Sequence, residues 1–220
     1  MSRLYASRTR ATSNAQARPN TVAEPTHALI LDQAAKLFRS FGYENTSLAM
    51  IAEAIDLTAP AIYRHFPSKY DLFARSVEKL QTDFDDRMEQ VSRSGSPRER
   101  IRELTIAHAL HQLRRAVPES TGSNRVLTIG QLAVHLLEPE RSRVLGLQRR
   151  HLDRVRETIE AGVAAGEFDV ADETVAAFSA LALPENLVLW YKRQGRLSEE
   201  QVARMLGDHV LRMLGADPAP

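Results

Sequence analysis

Apolar residues recur at intervals of three and four along most of the chain, which is the spacing of one face of an α-helix. Beginning at Thr26, this spacing predicts a helix that ends near Gly42, because glycine readily adopts the left-handed backbone conformation that stops a helix. No segment shows the pattern of alternating apolar and polar residues that is typical of a half-buried β-strand. The pattern therefore predicts an all-α protein of about nine helices joined mostly by short connections.

Two short helices joined by a tight turn are predicted next. Thr46 or Ser47 can cap the first helix, and Thr58 can cap the second, whose first turn contains Pro60 where a missing N–H costs little. Asp56 interrupts the apolar pattern between them, and aspartate tolerates the left-handed backbone of such a turn better than most residues do. The buried faces are predicted to consist of Leu48, Ile51, Ala52, Ile55, Leu57, Ile62 and Phe66.

This arrangement is typical of a helix-turn-helix unit, whose second helix can enter the major groove of DNA with its N-terminus first. With Ile62 and Phe66 facing inward, the outer face of the second helix is mostly small and apolar. Residues 59–61 could contact thymine methyl groups but donate no hydrogen bond, so Arg64 is the main candidate for hydrogen bonding to a base, preferably guanine.

A family resemblance rests on the pairs Thr46-Ser47 and Ile51-Ala52, on Thr58, and above all on residues 62–69, which read Ile-Tyr-Arg-His-Phe-Pro-Ser-Lys. Over residues 26–73 the chain resembles the DNA-binding domain of TetR-family transcriptional regulators. It departs from many members at Asp56, where they carry glycine in the turn. The resemblance implies an N-terminal three-helix helix-turn-helix head on a larger helical-bundle body that binds a ligand and forms a homodimer.

The resemblance also implies which residues contact double-stranded operator DNA. Thr46, Ser47, Tyr63, His65 and Lys69 match family positions that hold phosphates, which would set the register of the protein on DNA and not its sequence preference. The alternative is that Tyr63 and His65 only pack within the three-helix head. The full predicted DNA-binding set is Thr46, Ser47, Thr58, Ala59, Pro60, Ala61, Tyr63, Arg64, His65 and Lys69.

The predicted domain organisation follows from these elements. Residues 1–25 are polar and rich in arginine, without an apolar period, and are expected to form a disordered N-terminal arm that is either merely solvated or follows the DNA backbone. Residues 26–73 form the head, residues 74–214 the ligand-binding and dimerisation body, and residues 215–220 a C-terminal tail. The last two helices are predicted to pair with their copies as the dimer seam.

Composition narrows the chemistry. The 220 residues contain no cysteine, which excludes disulfides, a thiol nucleophile and cysteine metal sites. The net charge of +1 would not by itself suggest nucleic-acid binding, so that prediction rests on the motif. No apolar run approaches the roughly 20 residues that span a bilayer, and the N-terminus lacks the apolar core of a signal peptide. We therefore expect a cytoplasmic protein that does not bind membranes and needs no cofactor.

An arginine-rich predicted helix after Pro139 is the first candidate ligand site. Arg143, Arg150 and Arg154 share one side of it, and guanidinium groups beside an apolar interior suit a ligand with a phosphate head and an apolar tail. This helix and the Trp190-Tyr191 pair resemble branches of the family that respond to acyl-CoA thioesters. Phe178 and Trp190 complete the candidate set, although they could instead be core or seam residues. The alternative for the arginines is a solvated helix face.

Four histidines are candidate metal ligands. His108 and His111 are spaced to share one face of a helix, and His135 and His151 could approach them from others. No cysteine and no carboxylate stands near them at the spacing of a zinc site, so we predict no metal and ordinary packing or surface histidines.

The sequence thus predicts a ligand-responsive transcriptional regulator, specifically a repressor that a small hydrophobic or acyl-CoA effector releases from a palindromic operator. A constitutive DNA-binding protein without an effector is one alternative. An all-α enzyme acting on CoA esters is another, but the chain offers no catalytic spacing and no glycine-rich phosphate loop that would support it.

Overall fold

The computed structural model describes residues 23–91, 94–115 and 127–216 of the chain, and the regular structure in these ranges is entirely helical. This confirms the all-α prediction. None of the described helices is long and apolar enough to cross a membrane. The helices are α1 (Ala23–Asn45), α2 (Leu48–Glu53), α3 (Ala59–Tyr63), α4 (Lys69–Val91), α5 (Pro97–Arg115), α6 (Ile129–Ala133), α7 (Glu140–Ala164), α8 (Glu173–Glu185) and α9 (Glu199–Met213), with a short 3-10 turn at Leu187–Leu189.

Helix α1 begins three residues earlier than the apolar pattern indicated, at Ala23. Gly42 interrupts it with φ of 80°, which confirms the predicted left-handed position near the helix end. The predicted N-terminal arm lies outside the described residues except for 23–25, which are helical. Of the predicted tail, only Gly215 and Ala216 are described.

The head consists of α1, α2 and α3 packed on the first turns of α4. Ser47 caps α2, its Oγ accepting the N–H of Met50 at 3.1 Å. Asp56 has φ of 52°, so the turn takes the left-handed conformation that aspartate was expected to tolerate. Ile62 and Phe66 are fully buried in the head core, which fixes the orientation of α3.

Helix α4 connects the head to the rest of the molecule. Its N-terminal part contributes Leu72 and Phe73 to the apolar core of the head, whereas Phe84 and Met88 belong to the core of the body. The head core also includes Leu132 of α6 and Val144 of α7, although the predicted boundary at residue 73 assigns both helices to the body.

The body is a bundle in which α5 packs against α4, α7, α8 and α9. Gly207 allows α9 to approach α5 closely, since a Cβ there would lie 3.0 Å from Ile106 and 3.2 Å from Arg102. Helix α8 ends at Glu185, where Pro184 lies in its last turn and the chain then tightens into the 3-10 turn. Trp190 therefore lies outside any α-helix.

Candidate DNA-binding surface and ligand cavity

The outer face of α3 is open to solvent. Pro60 and Arg64 are exposed, Tyr63 is 55% exposed, and Ala59 and Ala61 are half-buried. Thr58 stands at the N-cap of α3 in an extended conformation, but its side chain makes no capping hydrogen bond and remains exposed. Thr58 thus stands at the start of α3 as predicted but does not make the predicted capping hydrogen bond, which leaves its hydroxyl available to an external acceptor.

Three further residues of the predicted set surround this face. Ser47 is exposed at the start of α2, His65 is half-buried just after α3, and Lys69 begins α4. The Lys69 ammonium lies 4.4 Å from the centre of the Tyr43 ring and 3.4 Å from the Glu44 carbonyl oxygen, which the ammonium donates to. Its charge is therefore held near the head surface, where an anionic group could reach it.

Thr46 is a correction to the predicted DNA-binding set. Its side chain is 1% exposed, and its hydroxyl donates to the Gly42 carbonyl oxygen at 2.8 Å and lies 3.3 Å from that of Leu37. The hydroxyl thus satisfies carbonyl groups at the end of α1, where the kink leaves them without helical partners. Thr46 stabilises the junction of α1 and α2 and does not present its side chain to DNA.

A cavity of about 470 Å³ lies between α4, α5, α7 and α8, which is within the usual size range of small-molecule sites. Leu80, Phe84, Leu152 and Leu181 provide apolar walls. Arg39 of α1 also reaches it, so the cavity touches a helix of the head. Its remaining polar and charged lining residues are Gln81, His108, His111, Gln112, Thr128, Gln148, Arg149, His151, Glu185 and Asn186.

Three buried histidines surround Phe84 inside this cavity. The ring centres of His108 and His151 lie 4.8 Å from that of Phe84, and that of His111 lies 5.0 Å away. Burial lowers the pKa of His151 to about 3, with a further contribution from the positive charge of Arg154. Burial, followed by His151 and His111, lowers the pKa of His108 well below its ordinary value. Both imidazoles are therefore neutral near neutral pH.

No group of histidine and acidic side chains in the described parts of the chain has the arrangement of a metal site. Of the four candidate metal ligands, the structure brings His108, His111 and His151 together, but around the Phe84 ring in an apolar wall. The histidine spacing therefore marked residues of the cavity, whereas it did not indicate that they surround an aromatic ring.

The arginines predicted to bind a ligand do not line the cavity. Arg143 pairs with Glu78 at 3.1 Å and Glu140 at 3.3 Å, and is exposed. Arg150 and Arg154 instead hold the carboxylate of Asp85 on α4, at 3.5 and 3.3 Å. Acidic residues of α4 face this side of α7, a proximity that the order of the chain does not reveal. Ligand binding by these three arginines therefore stays a prediction, without support from the cavity.

Of the two predicted aromatic ligand contacts, only one lies at the cavity. Phe178 of α8 lines it, while its side chain is 59% exposed. Trp190 is 58% exposed and does not line it, because α8 ends before this residue. Arg149 is the arginine of α7 that does reach the cavity, one position before Arg150.

Comparison with family models supports both parts of the fold. Residues 30–75 match the model described as bacterial regulatory proteins of the tetR family, and residues 94–214 match the tetracyclin repressor-like C-terminal domain. The chain is 25% identical over 195 residues to the HTH-type transcriptional regulator YhgD of Bacillus subtilis (strain 168), covering 86% of this chain and 96% of YhgD.

Solved structures share the architecture. The TetR family transcriptional regulator PfmR from Thermus thermophilus is 28% identical with a TM-score of 0.70, covering 83% of this chain and 97% of PfmR. AibR, solved in complex with isovaleryl coenzyme A and operator DNA, is 26% identical with a TM-score of 0.69, covering 86% of this chain and 97% of AibR. Since the two family models together span the head and most of the body, this chain belongs to the TetR family of ligand-responsive, DNA-binding transcriptional regulators.

Proposed function

We propose that α3 enters the major groove of an operator and that occupation of the cavity releases the protein from it. The observation that supports DNA binding by α3 is that its two sides differ. Ile62 and Phe66 are buried in the head, while Tyr63 and Arg64 face solvent. In this proposal Arg64 hydrogen-bonds to a base edge, and small side chains allow close approach to the groove. The positioning contacts to phosphates come from Ser47, Thr58, Tyr63, His65 and Lys69.

Replacing Arg64 with alanine is expected to weaken operator binding by about 1–3 kcal/mol, because one base contact would be lost. It should also relax the preference for the base pair that Arg64 reads. Fluorescence anisotropy with the DNA upstream of the protein's own gene would measure both effects. Arg196→Ala is the matched control, since Arg196 is exposed on the loop before α9, far along the chain from the head. Equal losses in the two variants would contradict the assignment of Arg64 as a base reader.

Two heads are needed to read a palindromic operator, and we propose that α8 and α9 supply the seam between two copies. In the single chain these helices expose a set of large apolar side chains to water, and contact with a second copy would bury them. A two-fold axis through the seam would place two α3 helices in successive major grooves, roughly 34–36 Å apart. The exposed apolar residues of the two helices are Val175, Phe178, Met205 and Met213.

The proposed effector is a small molecule with a large apolar part. Its cavity touches Arg39 of α1 and is bounded by α4, which also forms part of the head core. A ligand that fits one position of these helices better than another changes the spacing of the two heads. By reciprocity, the ligand weakens DNA binding by the same factor by which DNA weakens ligand binding. We propose no catalytic role. A protein that binds operator DNA works where the DNA lies, so we propose a cytoplasmic location.

An acyl-CoA thioester is the second candidate effector, because AibR is similar over 86% of this chain and was solved with isovaleryl coenzyme A. Acidic residues pair with Arg143, Arg150 and Arg154. Arg149 is therefore the arginine of α7 that lies at the cavity and could bind a phosphate. The cavity therefore favours a compact ligand over one with several phosphates.

A thermal-shift screen read beside operator binding tests the effector proposal. The panel contains free carboxylic acids, alcohols, hydrophobic cations and acyl-CoA thioesters. We expect at least one compound to raise the melting temperature and also to release the DNA, since a ligand that binds only the folded protein stabilises it. If no compound does both while operator binding stays intact, the chain would be a constitutive DNA-binding protein and the proposal would be rejected.

A further inference from the structure

Three side chains of the cavity contain buried polar atoms that make no hydrogen bond within the described parts of the molecule. These atoms are Nε2 of Gln81, Nδ1 of His108, and both ring nitrogens of His151. The three residues are 2%, 1% and 5% exposed. Folded proteins leave few buried polar atoms without a partner, so several of them in side chains that line one cavity indicate a ligand that supplies the missing bonds.

Most of these atoms are hydrogen-bond donors. The Gln112 amide nitrogen lies 3.4 Å from Nε2 of His108, and because an amide NH₂ only donates, Nε2 accepts and Nδ1 carries the hydrogen. The Gln81 amide nitrogen is a donor too, and a neutral His151 offers one donor and one acceptor. Three of the four unpartnered atoms therefore donate, and the complementary head group of a ligand is an acceptor.

The charges around these donors favour an anion. Arg149 lines the same cavity, is exposed, and forms no ion pair within the described residues. Arg154 lies close enough to His151 to lower the pKa of its imidazole. Besides His108 and His151, the titratable and charged groups that line the cavity or pair beside it are Arg39 from α1, Asp85 from α4, His111 from α5, Arg149, Arg150 and Arg154 from α7, and Glu185 from α8.

We propose that the effector is an apolar monocarboxylic acid whose carboxylate binds between Gln81, His108 and His151. The inference rests on the proposed function of the cavity as the effector site. The carboxylate accepts the unpartnered hydrogens, and the apolar part of the acid packs along Leu80 and Leu152. A buried carboxylate raises the pKa of a neighbouring imidazole by about 1–3 units, so the histidine pair takes up part of a proton from the solvent when the anion binds in mildly acidic solution.

Calorimetry with decanoate, decanol and decanamide tests this proposal on the full-length protein. The three probes have the same apolar chain, so they differ only in the head group. Decanoate is expected to bind more tightly than either neutral probe by about tenfold or more, as charged hydrogen bonds are stronger than neutral ones. Its binding heat at about pH 6 should differ between phosphate and Mes buffers in the sense of proton uptake, whereas the heat of decanol should not.

Variants assign the effect to the named side chains. His151→Leu should lower the affinity for decanoate by about tenfold, abolish most of the buffer dependence, and leave decanol binding nearly unchanged. Gln81→Leu should lower decanoate affinity while retaining proton uptake, and it provides a second route if the first variant does not fold. His135→Asn is the control, because His135 is exposed, lies outside α8 and α9, and does not line the cavity.

Equal affinity for the three probes, or a heat of decanoate binding that is independent of buffer, would overturn the carboxylate inference. A lack of binding by every acid from hexanoate to tetradecanoate would overturn it as well. The proposed function would still hold after either result if another compound both stabilises the protein and releases the operator. It would be rejected by a different result, namely that no ligand of the cavity changes DNA binding.

Discussion

Lowering the pH from about 8 to about 5 is expected to cost the folded protein about 2 kcal/mol through His151 alone. Its pKa is about 3 in the folded protein against an ordinary value of 6.5, because burial and Arg154 disfavour the charged imidazole. Between these two values the unfolded chain binds a proton that the folded chain does not bind. The free energy of unfolding is therefore highest above pH 6.5 and falls as the pH drops toward 3. His108 shifts in the same direction and adds to the loss.

Urea unfolding at the two pH values measures this loss. His151→Leu should remove the contribution of one imidazole, so that the variant loses less stability than the wild-type protein between the same two pH values. His135→Asn is again the matched control and should lose as much as the wild type, because the imidazole that it removes is exposed. Identical losses in the wild type and in His151→Leu would show that the neutral His151 does not contribute to the acid sensitivity.

Replacing Arg154 with methionine is expected to destabilise the fold by about 3 kcal/mol, since it leaves a buried carboxylate with one poorly placed partner. Asp85 is 6% exposed, and its remaining partner Arg150 has a side chain that is 61% exposed at a distance of 3.5 Å. Because this cluster links α4 to α7, its loss weakens the contact that bounds the cavity. Thermal and urea unfolding near neutral pH measure the effect.

Arg143→Met provides the comparison on the same helix. Arg143 also pairs with an acidic residue of α4, Glu78, but both side chains are well exposed, so water screens the pair and its removal should change stability little. Arg143→Met should also leave the affinity of a cavity ligand unchanged, because Arg143 does not line the cavity. A loss of ligand affinity in Arg143→Met would instead support the prediction that Arg143 binds a phosphate of the ligand.

The head could be predicted closely from the sequence because its signals are local. The cap at Ser47, the N-terminus of α3 at Thr58 and the left-handed turn at Asp56 depend on residues within one or two turns of each other. The exception is Thr46, which a motif match places at the DNA surface. Its hydroxyl is instead used by the carbonyl groups of Leu37 and Gly42, a contact that is set by the packing of α2 on the end of α1.

The cavity could not be predicted in the same way. Arg149 and Arg150 are neighbours in sequence, yet one lines the cavity while the other pairs with Asp85, because successive residues of a helix point about 100° apart. The direction in which each residue points relative to α4 depends on how the two helices pack. The histidine cluster could not be predicted for the same reason, since only the approach of α7 to α5 brings the His151 ring centre to 5.4 Å from that of His108.

The sequence by itself determined the helical class, the helix-turn-helix and the family, because periodicity, caps and turn residues act over short distances along the chain. Only the tertiary structure decided which polar groups meet. It paired three arginines of α7 with acidic residues and buried Thr46. It also enclosed neutral histidines with Gln81 in an apolar cavity. The physical reason is that charge pairing and desolvation depend on distances between helices, which the pattern along a single helix does not contain.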